Sequence, residues 1–192
     1  MIYENIQEEL QILKQLPEPV VTWFRANKRE LPWREHPDAY RVWVSEIMLQ
    51  QTRVEAVKSY YQRFLEALPD VKALAGAEED QLLKLWEGLG YYNRVRNMQK
   101  AATQIMVDYG GEFPQTYEEI LNLTGIGSYT AGAISSFAFG LAKPAVDGNV
   151  LRVISRITGS DRDIMKQSVR KRMETLLEQV IPADASSDFN QG

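Results

Sequence analysis

The chain has 192 residues, no cysteine and a single histidine, His36, and it carries a net charge of −4. The missing cysteine excludes a disulfide scaffold, a Cys-ligated zinc and an iron–sulfur cluster held by this stretch alone, and one histidine is too few for a His-based metal cluster. With 44% hydrophobic and 25% charged residues the chain reads as globular rather than disordered, and a pI of about 5.2 gives no bulk basic footprint for nucleic acid.

No strand-like alternation persists, and apolar residues recur at helical spacing instead. Glu8 to Leu16 and Glu18 to Lys28 read as helices. Leu31-Pro32-Trp33-Arg34 and His36-Pro37-Asp38 form a breaker-rich loop. Tyr40 to Leu49 is helical and strongly apolar, and Val54 to Leu68 continues until Pro69. Val71 to Ala75 is one short turn. Asp80 to Glu87 follows, interrupted by Gly88-Leu89-Gly90, and Tyr92 to Tyr109 is a long amphipathic helix ended by Gly110-Gly111. Thr116 to Leu121 is short, Thr130 to Phe139 is rich in small apolar residues, and Gly148 to Thr158 and Ser168 to Val180 complete the set. The fold class is all-α, about nine or ten short helices joined by Gly and Pro turns. The N-terminus shows no secretory signal. Ile120 to Ala142 is uncharged and long enough to span a bilayer, but its four glycines, three serines, Asn122, Thr124 and Thr130 mark buried soluble structure. The expectation is a soluble protein with no membrane partner.

Three segments carry chemistry. Leu123-Thr124-Gly125-Ile126-Gly127-Ser128-Tyr129-Thr130-Ala131-Gly132 places a Gly-Ile-Gly hairpin between two helices, with the free N–H groups of the second able to hold a phosphate oxygen. A lone G-x-G is more often a plain turn; the full string is more specific. In Ala145-Val146-Asp147-Gly148-Asn149-Val150, Asp147 is placed as a helix N-cap, where N–H groups keep a carboxylate ionised; a capping role alone is the simpler reading. In Val42 to Thr52, Glu46 sits among apolar neighbours. Pointing to solvent it is an ordinary helical glutamate; pointing inward, desolvation makes it a general acid near neutrality. Gln50 and Gln51 beside it are long, uncharged probes able to wedge a base stack.

Together these segments resemble the helix-hairpin-helix DNA glycosylase superfamily, and within it the adenine DNA glycosylases of the MutY type. The resemblance rests on Leu31-Pro32-Trp33-Arg34, the run Ser45 to Thr52, Gly88-Leu89-Gly90-Tyr91-Tyr92, the Gly125-Ile126-Gly127 hairpin and Asp147-Gly148-Asn149-Val150. It implies two helical subdomains with the active site in the cleft between them: residues 1–28 with 143–192, and a six-helix barrel over 29–142 containing the helix-hairpin-helix at about 116–139. It implies hydrolysis of the N-glycosidic bond of adenine paired with 8-oxoguanine or guanine, on double-stranded DNA, by a monomer in the bacterial cytoplasm near the nucleoid. Glu46 would protonate adenine at N7 and Asp147 would stabilise the oxacarbenium-like sugar. Tyr129 and Asn149 would complete the catalytic set, and Arg34, Trp33 and Gln191 would line the base pocket. Gln50, Gln51, Leu89, Tyr91, Gly125, Ile126, Gly127, Ser128 and Thr130 would contact DNA. Relatives of the endonuclease III type carry a Schiff-base lysine where Tyr129 stands; tyrosine cannot form an imine, which implies a monofunctional enzyme acting through water.

The family carries a four-cysteine [4Fe-4S] loop after the motif beginning Phe189-Asn190-Gln191, and the domain that reads 8-oxoguanine follows it. This chain stops at Gly192, so no cofactor is expected in it, the cluster is expected in full-length members, and Gln191 is expected on a frayed end with apolar surface exposed nearby. A DNA-binding module without chemistry and an endonuclease III-like enzyme are the alternatives; Glu46 with Asp147 argues against the first, Tyr129 against the second. The acidic total also hides asymmetry: Lys143 to Arg172 holds eight basic and three acidic residues, net +5, whereas Glu66 to Glu87 holds six acids and two lysines, net −4. Local basic charge past the hairpin is compatible with DNA despite the low pI.

Overall fold

A computed structural model describes residues 6–192. Among these all regular secondary structure is helical. The helices are α1 (Ile6–Leu13), α2 (Pro17–Asn27), α3 (Pro32–Glu35), α4 (Ala39–Leu49), α5 (Val54–Ala67), α6 (Val71–Ala75), α7 (Glu79–Trp86), α8 (Asn93–Asp108), α9 (Tyr117–Leu121), α10 (Ser128–Phe139), α11 (Gly148–Thr158), α12 (Gln167–Glu178) and α13 (Ser186–Gln191). The excess over the sequence expectation comes from very short helices such as α3, which replaces part of the anticipated loop. Its proline stands at the first helical position, where a missing N–H costs nothing.

Polar caps set the helix starts. Asp38 accepts from the Arg41 N–H at 2.8 Å to open α4, Asp70 from Ala73 at 2.7 Å to open α6, and Asp147 from Val150 at 2.8 Å to open α11. Each such bond satisfies an otherwise orphaned donor and contributes about 1 kcal/mol. No described helix is long and apolar enough to cross a membrane.

The buried apolar residues fall into two groups. The larger runs from Leu31 to Ile134 around Trp43, Phe64 and Trp86. Its rings meet edge to face, as in Phe64–Trp86 at 5.9 Å and Trp33–Tyr61 at 5.4 Å, a geometry worth about 0.5–1.5 kcal/mol per pair beyond burial itself. The smaller unites Leu10 and Leu13 of α1 with Val146, α11 and α12. Next to Leu10 of the second group lies a charge: Glu9 is completely buried, and Arg162 and Arg172 both donate to its carboxylate, Arg172 at 2.8 and 3.0 Å.

The C-terminal segment is ordered into α13 rather than frayed. Packed on α2 and α10, it is tied down by Arg25 to Asp188 at 2.7 Å and by Arg34 Nε donating to Gln191 Oε1 at 2.8 Å. The expectation of a loose Gln191 therefore fails, because partners on distant helices hold these side chains. Some apolar surface is exposed nearby, at Val153 and Ile157 on α11.

Candidate active site

Helix α4 is apolar on nearly every face, so its one glutamate has no solvent side to turn to. Glu46 is only 7% exposed. It lines a cavity of about 380 Å³ with Trp33, Arg34, Ser45, Tyr129, Asn190 and Gln191, in the size range of small-ligand sites. A second cavity, about 320 Å³, shares Tyr129, Asn190 and Gln191 and is lined by Asp147 and Asn149. The two carboxylates thus flank the same tyrosine.

Burial pushes the Glu46 carboxyl up to about 7; a hydrogen bond with Tyr129 opposes this, the Asp147 carboxylate adds to it, and the Arg34 guanidinium opposes it. Desolvation dominates because an ion in a low-dielectric site loses more hydration than these partners restore. The Tyr129 hydroxyl is itself driven upward, first by burial and then by Glu46, so it remains a neutral phenol.

Asp147 is held differently. Besides capping α11 it accepts from Asn149 Nδ2 at 3.0 Å, and Asn149 in turn accepts from Arg152 at 3.1 Å. Its approach to Tyr129 depends on Gly132, one turn further along α10. A Cβ there would lie 2.1 Å from the Pro144 carbonyl oxygen, so only glycine lets the Pro144–Asp147 segment run this close to the helix. Asn190 clamps the same segment. Its Oδ1 accepts from the Ala145 N–H at 2.9 Å, and its Nδ2 donates to the Ser136 hydroxyl and to the carbonyls of Lys143 and Ser186 at 2.8–3.1 Å. Sequence reasoning missed Gly132 and Asn190 as site-builders. The small-residue run of α10 hinted at close packing, and Asn190 stood in the Phe189-Asn190-Gln191 motif without a role of its own.

Arg34 stands over the Phe24 ring at 5.1 Å and contacts Gln191. Trp33 is buried against Tyr61 and lines the first cavity. Lys143 is engaged by Glu178 at 2.6 Å and lies over the Tyr117 ring, so it does not serve as a free amine in the cleft.

The residues expected at DNA divide into two groups. Gln51 and Tyr91 are exposed, Tyr91 by 68%, and Gly125 and Gly127 open the hairpin to solvent. Gly125 has φ +79°, and a Cβ there would meet Asn97 at 2.7 Å. Gln50 is half-buried, and Ser128 donates to Glu174 at 2.8 Å. In contrast, Leu89, Ile126 and Thr130 are buried. Packing covers most of these three side chains in the free chain, and their contact with DNA is a proposal.

The residues do not fit an iron–sulfur cluster. The chain has no cysteine, and the described residues contain no group of three or more His, Asp or Glu arranged to hold a metal.

A helical hairpin, α9 and α10 joined through Gly125-Ile126-Gly127, stands beside two cavities that share Tyr129, one lined by the buried Glu46 and the other by the capping Asp147. Residues 44–179 match the model of the HhH-GPD superfamily base excision DNA repair protein. The chain belongs to that superfamily. It is 39% identical over 174 residues to the adenine DNA glycosylase of Buchnera aphidicola (subspecies Acyrthosiphon pisum), covering 90% of this chain and 50% of that protein. To the human adenine DNA glycosylase it is 40% identical over 181 residues, covering 90% and 33%. The chain therefore spans about a third to a half of these relatives' lengths. Among solved structures it resembles a thermostable thymine-DNA glycosylase, with TM-score 0.81, 26% identity and coverage of 96% and 83%. It also resembles a trapped endonuclease III–DNA covalent intermediate, with TM-score 0.77, 26% identity and coverage of 94% and 82%.

Proposed function

We propose that this chain is the catalytic core of a monofunctional DNA glycosylase that flips out adenine paired with 8-oxoguanine or guanine and hydrolyses its N-glycosidic bond. The observation that carries the reading is the buried Glu46, its carboxyl raised to about 7, with Asp147 across Tyr129 in the adjoining cavity. Two carboxyl groups with opposed environments are the usual solution where one must give a proton and the other must stay charged.

In this reading Glu46 gives its proton to N7 of the extruded adenine. The glycosidic bond breaks, its electron pair leaves with the base, and the positive sugar is stabilised by the Asp147 carboxylate. Water then attacks the sugar carbon, and the Glu46 carboxylate takes the proton that the water loses. Tyr129, Asn149 and Arg34 hold the two carboxylates and the base in register. Gln51 and Tyr91 fill the space in the duplex that the base vacates. The adenine-specific names of the relatives and the absence of an amine at Tyr129 support adenine and water as the reactants. The enzyme acts as a monomer on double-stranded DNA.

The test uses duplexes with adenine opposite 8-oxoguanine, guanine or thymine, incubated with the chain and then treated with alkali. Alkali-dependent nicking opposite the first two is expected, with no borohydride-trapped adduct. Nicking without alkali would contradict the monofunctional reading. Absence of excision both here and in a form extended to the relatives' length would overturn it.

A further inference from the structure

Two non-glycine residues have positive φ among the described residues, Gln51 at 58° and Tyr91 at 48°. A left-handed backbone is unfavourable for any residue with a Cβ, and more so for a bulky one. It persists where the surroundings impose it. Both residues are exposed at the tips of turns, Gln51 after α4 and Tyr91 before α8.

The surroundings that impose it converge on Arg94. Its Nη1 donates to the carbonyls of Ile47 and Gln50, both at 2.7 Å, and its Nη2 to those of Leu89 and Gly90 at 3.0 and 3.2 Å. Gln50 immediately precedes Gln51, and Gly90 immediately precedes Tyr91. The guanidinium also lies over the rings of Trp86 at 5.4 Å and Tyr91 at 5.7 Å. One planar fork therefore ties the end of α4 to the Gly88–Tyr91 turn at the carbonyls just before the two left-handed residues. A lysine ammonium, a single point with no fork, cannot bridge the two segments in this way.

We propose that Arg94 is a positioning residue: it locks the two left-handed turns together so that Gln51 and Tyr91 enter the duplex as one preset wedge, without touching DNA itself. The role in the duplex rests on the glycosylase reading above; the locking of the turns does not.

The experiment uses Arg94→Gln and Arg94→Lys. Because the chain has no native cysteine, spin labels on Arg53→Cys and Tyr92→Cys, one beside each turn, report the distance between the turns directly. A single narrow distance distribution is expected in the parent, one broader by about twofold or more in Arg94→Gln, and an intermediate one in Arg94→Lys. Single-turnover excision is then compared on base-paired adenine and on adenine in single-stranded DNA, which needs no wedge. The loss on the paired substrate is expected to exceed the loss on the unpaired one by about tenfold or more. Unchanged distance distributions would overturn the locking. Equal losses on both substrates, in step with a lowered Tm, would overturn the positioning role and leave Arg94 as scaffold. A parent chain that excises adenine from neither substrate would count against the glycosylase reading, while the distance measurement still decides the locking.

Discussion

Asp147 raises the proton affinity of Glu46, although the two carboxylates belong to different helices and lie in neighbouring cavities that meet at Tyr129. Removing the charge while keeping the shape, in Asp147→Asn, should therefore lower the Glu46 carboxyl below about 7. Tyr129→Phe should move it the other way, because the lost hydrogen bond favoured the anion. Carbon-13 NMR titration of the Glu46 side chain checks both signs.

The same burial makes stability depend on pH. Glu46 rises from an ordinary 4.5 to about 7 on folding. Between these values the unfolded chain loses its proton while the folded one keeps it, so the contribution is full below pH 4.5 and is lost as pH rises through 7. The shift corresponds to about 3 kcal/mol. Urea titrations should show Glu46→Gln gaining stability relative to the parent by about this amount from pH 4 to pH 8. A constant difference would place Glu46 in contact with solvent.

Gly132→Ala should disturb the site from outside it. The new methyl group meets the Pro144 carbonyl, so α10 and the Asp147 segment must separate. Overpacking of this kind costs about 1–3 kcal/mol, and a displaced Asp147 should slow adenine release by about 100-fold. Thermal melts and single-turnover kinetics separate the two effects.

Glu9 offers a contrast. Its buried carboxylate, next to Leu10 of the smaller core, neutralises the partly exposed Arg162 and Arg172. Breaking such a buried group from one side costs about 3–5 kcal/mol. In Glu9→Ala the Tm should fall by about 6–20 °C. Glu9 lines neither cavity, so excision per folded molecule should stay within about threefold of the parent.

The helical plan was legible because apolar spacing and end signals agreed: α6 and α11 begin and end at the residues the pattern indicated. Glu46 was legible as a candidate but not as buried, because α4 is apolar on all sides and periodicity cannot tell which face meets a cavity. The clamp by Asn190 and the close approach at Gly132 join segments that no local pattern connects. The burial of Leu89 and Thr130 was hidden for a related reason: a motif marks where a turn lies, while packing decides which side chains remain outside. Arg94 was passed over because a basic residue at a helix start normally faces solvent.

In the proposed reaction Glu46 and Asp147 together break the bond to adenine. The most direct measurement is single-turnover release of adenine from a duplex carrying adenine opposite 8-oxoguanine, by the parent chain, Glu46→Gln and Asp147→Asn, with DNA binding measured in parallel. Release by the parent is expected, with a loss of about 100-fold or more in each variant and binding retained within about threefold. Release by either variant at close to the parent rate would contradict it.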